Sequence, residues 1–553
     1  MKYKDYKPSW RLDVEDENTY RTMFRWGNPD HIEEPTESFY SFVKEKLSLS
    51  DEDFMIPSSQ GDKIVDIDIP LRLSKTHIKE FEDIVGKINV ATDTLSRVKA
   101  CYSKGVMDSM RLRREILENI PDAVISPSSE EQLLMLVKYC YKNNIPIYVM
   151  GGGTNITRSN ENVRGGIKIN LKRNFNKVIS FSAIDQTVTV MAGITGPQLE
   201  EILNNANEYF TNVTGRYTLG HIPESFEFST VGGWVASRSV GQNSMRYGGI
   251  DDILLSSRYI TPKGIMETDV CTRDSCLPAI DEIMLGSEGK FGILVSCTLK
   301  VRKYTYETKK AFSYMFKNWE AAVSCAREMV QREICMPSFL RVCDNGSTEI
   351  ISKMSRFVSK GILGLRIRGE NEKNKCLLIG YVEGEKGFAT YNRRAIGRLC
   401  TRFGGVSATS YLNRKWDKTR FNDAYIRDIL QDYSIVVDKF VCPLRWSELQ
   451  EVYSIAADYF NDIGVLNMMH LQDISTYGAS LMISYARKYK DIQEYQDFHK
   501  ETLDMLITAG VKCPHSYSLG RTTDRTMYNL DEVYTLIMKS IKKLLDSKNI
   551  LNP

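Results

Sequence analysis

Several signals are missing from this chain, and each absence closes a route. No run of about 18 apolar residues occurs, so no membrane-spanning helix is expected. The opening stretch MKYKDYKPSWRLDVEDENTY has no apolar h-region, which speaks against a secretory signal. The 12 cysteines stand singly, with no CxxC pair and Cys271 and Cys276 as the nearest two. Neither a zinc site nor a disulfide framework is indicated, and reduced core thiols in a cytoplasm are the plain expectation. Charge of one sign is missing as well. Lys plus Arg number 73 against 70 Asp plus Glu, a net charge of +3 that supplies no field for steering onto nucleic acid. Asn155-Ile-Thr, Asn212-Val-Thr and Asn345-Gly-Ser match the glycosylation triplet, but without secretion they read as chance. There is no GKS or GKT and no GxGxxG opening a helix, which disfavours a P-loop or a nicotinamide-binding fold. The chain ends in ILNP rather than SKL, and Arg11-Leu12 is not followed by His-Leu at the spacing of an N-terminal peroxisomal address, so a cytoplasmic location is expected.

What is present is a long, ordinary globular composition. With 553 residues, 42% of them hydrophobic, the chain can bury a large core divided among two to four domains. Residues 1–116 are polar and charge-dense and read as an N-terminal helical extension with nothing that looks catalytic. The texture changes at IPDAVISPSSEEQLLMLVKYC. There Ser128 with Glu131 spells a capping box, and Leu133, Leu134, Val137 and Tyr141 share one helical face. A strand, PIYVM, runs into glycines. The short runs GIKINL, KVISFS and TVTVMAGIT follow, with Asp185-Gln186 as a hairpin-like turn. These features predict an α+β domain over 117–303. A second α+β region is expected over 304–505, with helices in KNWEAAVSCAREMVQ and RWSELQEVYSIAADYF, and a C-terminal segment over 506–553. Its last helix puts Val533, Leu536, Ile537, Ile541, Leu544 and Leu545 on one side as a docking face.

Met150-Gly151-Gly152-Gly153-Thr154-Asn155, followed by Ile156, comes directly after a strand. Glycines there let backbone N–H groups approach an anion that a Cβ would exclude. Alone, the stretch reads as a tight turn. It is followed in order by AGITGPQLEEIL, by TLGHIPESFEFSTVGGWVASRSVGQNSMRYGGIDDILL and by MLGSEGKFGIL. These stretches together resemble the flavin domain of the vanillyl-alcohol oxidase and p-cresol methylhydroxylase family of FAD flavoproteins. The resemblance implies an α+β fold: a two-subdomain FAD-binding domain, an α+β cap that holds substrate, and a C-terminal helix docking back. It also implies FAD, expected here to be non-covalent because no His or Cys stands out as an attachment point. On that resemblance the pyrophosphate is expected on Gly151, Gly152, Gly153, Thr154 and Asn155 and on Ser229, Thr230, Gly232 and Gly233, with Met150 and Ile156 beside the turn as further cofactor-binding residues. Pro223, Ser225, Gly241 and Ser244 belong to the same matched stretch. Gly286, Ser287, Glu288, Gly289, Gly292 and Ile293 are expected at the adenine or ribose end, with Lys290 standing where relatives often have threonine.

HIPESFEFSTVGGWVASR, MPSFLRVCDN and AYIRD further resemble the alkyldihydroxyacetonephosphate synthase branch of that family. The likeness implies anion binding by Arg341 and Arg427, and a histidine near the flavin, His221, in either a catalytic or a hydrogen-bonding role. Two departures follow. The branch has three consecutive histidines near its C-terminus, where this chain reads CPHSYSLGR, so His515 keeps one position while Ser516 and Tyr517 take the others. A tyrosine credited with proton transfer falls on Met482 in the most natural register, with Tyr477 and Tyr485 as alternatives. The principal expectation is therefore oxidation of a small hydroxylated substrate carrying a carboxylate or phosphate, by hydride transfer to flavin N5, with His515, Tyr517 and His221 as the base candidates. Two alternatives stay open: acyl-to-alkyl exchange in ether-lipid synthesis without net redox change, and a non-catalytic FAD-binding subunit. The partner is a small molecule, nucleic acid is excluded, and a homodimer and, for a lipid substrate, peripheral membrane contact stay open.

Overall fold

The computed structural model describes residues 18–28, 31, 37–54, 61–270, 278–333, 335–353, 374–408, 410–514, 520–521 and 531–553. Among the described residues, eighteen strands are distributed over four sheets, and three of these sheets build the walls of one cleft.

The first sheet contains β1 (Val90–Ala91), β2 (Ala123–Ile125), β3 (Ile147–Met150) and β4 (Ile167–Asn170) in the order β1-β2-β4-β3. Strands β2, β4 and β3 run parallel, and the helix Glu130–Asn143 connects β2 to β3. That helix starts one residue later than the expected box. Ser129 is the N-cap and accepts from Gln132 N, while Gln132 Oε1 accepts from the Ser128 N–H at 2.8 Å. The extended backbone that a cap requires falls on Ser129 (φ −143°), so the Ser128/Glu131 pairing does not form. Leu133, Leu136, Val137 and Cys140 are its buried stripe, with Leu134 and Tyr141 partly buried beside them.

The second sheet contains β5 (Val178–Ser182) and β6 (Thr187–Met191), followed, after the two-residue β7 (Tyr217–Thr218), by β8 (Leu254–Thr261), β9 (Gly264–Glu267) and β10 (Ile293–Lys300). Its order is β5-β6-β10-β8-β9, antiparallel throughout, and Gln186 takes a left-handed φ of 52° in the β5–β6 turn. A short ribbon pairs β7 with β11 (Arg302–Lys303). One apolar core joins both of these larger sheets.

The third sheet has seven strands, from β12 (Lys310–Phe316) and β13 (Phe339–Cys343) through β14 (Cys376–Val382) and β15 (Val406–Ser407) to β16 (Ile435–Arg445), β17 (Leu466–Gln472) and β18 (Gly478–Lys488). Its order is β15-β12-β14-β13-β17-β18-β16. Side chains alternate across a strand, so each strand has two faces. On one face Leu340, Val342, Phe440, Cys442, Met469, Leu471, Leu481, Ile483 and Tyr485 are buried under the helices Trp319–Gln331, Lys386–Arg402, Trp446–Asp462 and Ile492–Thr508. The alternate residues, among them Arg341, Lys439, Val441, Pro443, His470, Gln472, Ser480 and Met482, belong to the opposite face, which looks toward the first two sheets.

The N-terminal region does more than extend the chain. Its strand β1 pairs antiparallel with β2 at the edge of the first sheet. Its helix Glu37–Lys46 buries Phe39, Tyr40, Phe42 and Val43 against Ile426, Ile429, Leu430, Tyr433 and Ile435 of the cap. The C-terminus closes the other side. Ile147 N–H donates to Ile550 O at 2.7 Å and Asn552 N–H to Ile147 O at 2.9 Å, which lays the tail along β3. The preceding helix, Glu532–Leu545, docks through a narrower stripe than its apolar face suggests. Met538, Ile541 and Leu545 pack on the core, whereas Val533, Leu536, Ile537 and Leu544 remain exposed. Lys542 sets this orientation, because its ammonium donates to Lys290 O at 2.8 Å and Asp546 Oδ2 at 2.7 Å on the docked side. No helix among the described residues is long and apolar enough to cross a membrane.

Candidate functional site

The parallel strand β3 delivers its glycine turn to the mouth of the cleft, as short α/β connections do at carboxyl strand ends. Gly151, Gly152 and Gly153 pass directly beneath the segment 228–233. A Cβ on Gly151 would collide with Thr230 Oγ1, and one on Gly152 with the Phe228 carbonyl oxygen. The two loops can therefore cross only because side chains are absent at those positions. Thr230 caps the helix Val231–Ser237 by accepting from Gly233 N, while Val231 N–H and Gly232 N–H donate to Ile194 O and Ala192 O, so the first turn of this helix is already satisfied and lends the cavity small residues rather than free donors. Asn155 fastens the end of the turn: its Oδ1 accepts from Thr157 N and Ser159 N, each at 3.1 Å.

These elements enclose a cavity of 280 Å³. Gly151 through Ile156, Pro223, Ser225, Ser229, Thr230, Gly232 and Gly233 line it, as do Ser287, Glu288, Gly289, Gly292 and Ile293. Four expected residues lie elsewhere. Met150 stands behind the turn with its sulfur near Gly153, and Gly286 lines an adjoining cavity. Gly241 packs on the His221 ring, where a Cβ would come within 3.1 Å of Nδ1, and Ser244 starts the short helix Ser244–Tyr247. A Cβ on Gly289 would meet nothing within 4 Å and one on Gly233 only Thr230 Oγ1 at 3.5 Å, so both glycines border open space. Small residues and backbone N–H groups on one stretch, with Leu171, Trp234, Tyr259 and Leu294 beyond them, match a pyrophosphate flanked by flat rings. Lys290 answers its own departure by pairing with Glu288 at 3.3 Å, and Glu288 Oε1 accepts from Gly520 N at 3.0 Å.

Sequence reading missed part of the wall. Trp26, from the charge-dense N-terminal region, reaches the cavity, and its backbone N–H donates to Asp428 Oδ2 at 2.6 Å. Lys104 locks the same segment by donating to Met23 O at 2.6 Å and Arg25 O at 2.8 Å. Burial lowers this ammonium to a pKa of about 8. From the cap, Lys439 lines the cavity and forms an ion pair with Glu224 across the cleft.

The candidate substrate side is the face of the seven-stranded sheet turned away from the covering helices. Arg427 lines the cavity from the helix Asp423–Gln431, 3.3 Å from Asp428 Oδ1. Arg341, on β13, has a buried Nε without a hydrogen-bond partner, and its guanidinium lies 5.1 Å over the Trp416 ring. His221 does not line the cavity. It is fully buried behind Ser239, with Nε2 2.9 Å from Ser239 Oγ, and burial holds its pKa down to about 3. It is therefore a neutral ring that orients a cavity-lining hydroxyl. His515, Ser516 and Tyr517 lie outside the described residues.

Strand pairing fixes the register around Met482. Val441, Met482 and His470 are consecutive cross-strand partners on β16, β18 and β17, and Cys343 of β13 faces His470 in turn. Met482 therefore points toward the cleft. Tyr485 falls on the opposite face among Phe440, Phe460 and Phe498, so it cannot reach the cleft. Tyr477 sits at the rim of the adjoining cavity, 79% exposed. His470, which the sequence did not single out, joins Arg341, Gln472, Asp473 and Ser480 in a polar patch on the cleft face. Burial raises Asp473 to a pKa of about 6 against its bonds to Ser480 and Gln472.

Comparison with known proteins agrees with this geometry. A family described as "FAD binding domain" matches residues 121–269, and one described as "FAD linked oxidases, C-terminal domain" matches residues 306–553. Among curated proteins, alkyldihydroxyacetonephosphate synthase of Dictyostelium discoideum is 28% identical, covering 95% of this chain and 88% of the relative. The glycolate oxidase subunit GlcD of Bacillus subtilis is 21% identical, covering 79% and 89%. Among solved structures, an alkyldihydroxyacetonephosphate synthase superposes with a TM-score of 0.81 at 25% identity over 98% of both chains. P-cresol methylhydroxylase superposes with a TM-score of 0.63 at 14% identity over 87% of this chain and 97% of its own, a likeness of fold.

Proposed function

We propose that the chain, matched by an FAD binding domain and by an FAD-linked oxidase C-terminal domain, is an FAD flavoprotein that replaces the acyl chain of an acyl-dihydroxyacetone phosphate by a fatty alcohol. The observation that carries this reading is that likeness to the synthases extends through the cap as well as the flavin domain, over 95% of the chain. A cofactor domain alone would leave the substrate open. FAD, bound non-covalently in this reading, supplies a reversible electron sink beside the substrate carbon. Arg427 and Arg341 hold the phosphate: a guanidinium offers paired donors to a dianion, and the unpartnered Nε of Arg341 lacks an acceptor that a phosphate oxygen would provide. The Glu224–Lys439 ion pair ties the cap to the flavin domain where both residues line the cavity.

A second reading, oxidation of a hydroxylated acid or phosphate, is favoured by one observation. Met482, on the cleft face, is a thioether that cannot carry a proton, and hydride transfer asks less of that wall than exchange does. Its likeness to the glycolate oxidase subunit supports it over a smaller share of the chain.

The test is to incubate FAD-loaded protein anaerobically with palmitoyl-dihydroxyacetone phosphate and labelled hexadecanol. Label entering an ether lipid while the flavin bands stay oxidised at the end of turnover is expected. Bleaching by a 2-hydroxy acid or glycerol phosphate, with no label incorporated, would transfer the assignment to the oxidase reading.

A further inference from the structure

We propose that His470 is the proton acceptor of the cap wall, serving from β17 the chemistry that its cross-strand neighbour Met482 on β18 cannot perform. The inference rests on the exchange reading above.

Three features of the structure converge on this side chain. The first is orientation. His470 shares a row and a face with Met482 and, one strand further, with Val441, which lines the cavity adjoining the flavin site. Gln472 and Ser480 form the next row on the same face, and Ser480 lines that cavity as well. Directly paired Cβ atoms are about 5 Å apart, so the imidazole stands in the space that a longer side chain at 482 would share.

The second is an open nitrogen. His470 Nε2 is buried and has no hydrogen-bond partner, whereas a buried ring nitrogen is ordinarily satisfied. His221, which does not line the cavity, spends its Nε2 on Ser239, and its Nδ1, also without a partner, packs against Gly241 behind the wall. Of the two, only His470 offers an unoccupied nitrogen on the cleft face.

The third is charge. Burial and the Arg341 guanidinium disfavour the imidazolium, while Glu224 and the Gln472 amide favour it and Lys439 adds a weaker opposing push. Asp473 feels the same Glu224 and Arg341 charges. The free ring is held neutral, the form able to take a proton. A phosphate dianion on Arg341 would cancel the repulsion and raise proton affinity when substrate is bound.

The step balances without an outside oxidant or reductant. The alcohol oxygen bonds to the C1 carbon of dihydroxyacetone phosphate, and the bond from C1 to the acyl oxygen breaks. The acyl chain leaves as a carboxylate. The alcohol proton passes to His470 Nε2 and from there to solvent.

The experiment compares wild type with His470→Gln, both loaded with FAD, by incorporation of labelled hexadecanol and by the spectral titration of palmitoyl-dihydroxyacetone phosphate. Loss of proton transfer costs about 10²- to 10⁴-fold. The expected result is a fall of that size in kcat, a titration midpoint within about threefold of wild type, and partial recovery when Met482→Tyr is added to the variant. A His470→Gln rate within threefold of wild type overturns the proposal. So does a variant that loses substrate binding while keeping kcat, which would make His470 an anchor. If His470→Gln loses its flavin bands, His470→Asn takes its place under the same criteria. Absence of exchange by wild type itself is a separate failure: it removes the exchange reading, and the His470 proposal with it.

Discussion

At Gly152 a single methyl group decides whether the cofactor can be held. Its missing Cβ is the space occupied by the Phe228 carbonyl, a backbone atom that cannot rotate away. Forcing a carbon into that contact costs about 1–3 kcal/mol, which for Gly152→Ala is expected to appear as roughly ten- to hundredfold weaker FAD binding in a fluorescence-quenching titration. Binding unchanged within twofold would mean that the two loops are less tightly crossed than the structure has them. Arg427 acts on the other ligand. A charge-assisted bond contributes about 1.5–3 kcal/mol, so Arg427→Ala is expected to raise the KM for the phosphorylated substrate about tenfold or more with little change in kcat, and Arg427→Lys to recover only part of it. Asp473 gives the pH dependence. Its pKa of about 6 in the folded protein lies above its ordinary 3.8, so the folded state holds the proton more tightly. Its contribution is therefore most favourable below 3.8 and is lost as pH rises through 6. Relative to Asp473→Asn, wild type is expected to lose urea resistance between pH 4 and pH 6.5; an unchanged difference would remove the assigned cause.

Among the elements, legibility followed the range of the interactions involved. The glycine runs could be read because a tight turn is written in neighbouring residues, and most of the residues expected at FAD line the cavity. Met482 could be assigned to the cleft face only through the pairing of β16, β18 and β17, and His470 could not be found at all, because strand partners are set by tertiary packing. Trp26 escaped for a related reason: it lies more than a hundred residues before the glycine turn, in a segment whose polarity suggested no site. That segment is held by charge as well as by packing. Asp432, fully buried, accepts from Arg21 at 2.9 Å and forms an ion pair with Arg113, which joins two N-terminal helices to the cap. Removing the carboxylate leaves two buried guanidiniums without it, a change that costs about 3–5 kcal/mol. Asp432→Ala is therefore expected to lower the unfolding midpoint and to open the region around residues 18–28 to trypsin. A variant as protease-resistant as wild type would show that apolar packing alone holds this clamp.

The molecule as a whole is built so that its two halves share their fastenings. The N-terminal region pairs β1 with the flavin-domain sheet and buries Phe39, Tyr40 and Phe42 in the cap, while Glu224 and Lys439 bridge the cleft. The tail runs along β3 and reaches Glu288 through Asn552 Nδ2 at 2.7 Å. Neither half can open without breaking contacts that the other half supplies, so heat is expected to unfold them together. The residues lining the candidate FAD cavity come mainly from the first half, yet the linkage would make binding energy there available to both. At a free concentration of about a hundred times Kd, a ligand adds about 2.7 kcal/mol; spread over an unfolding entropy of about 2.1 cal/mol/K per residue, this corresponds to a rise of about 2 °C in Tm. Calorimetry with and without FAD should thus give one transition that moves as a unit. Tryptophan mutants report each half separately, Trp234 within the flavin domain and Trp319 or Trp446 within the cap. If their transitions separate, and only the Trp234 signal responds to FAD, the shared fastenings do not couple the halves and the cleft opens by domain separation instead.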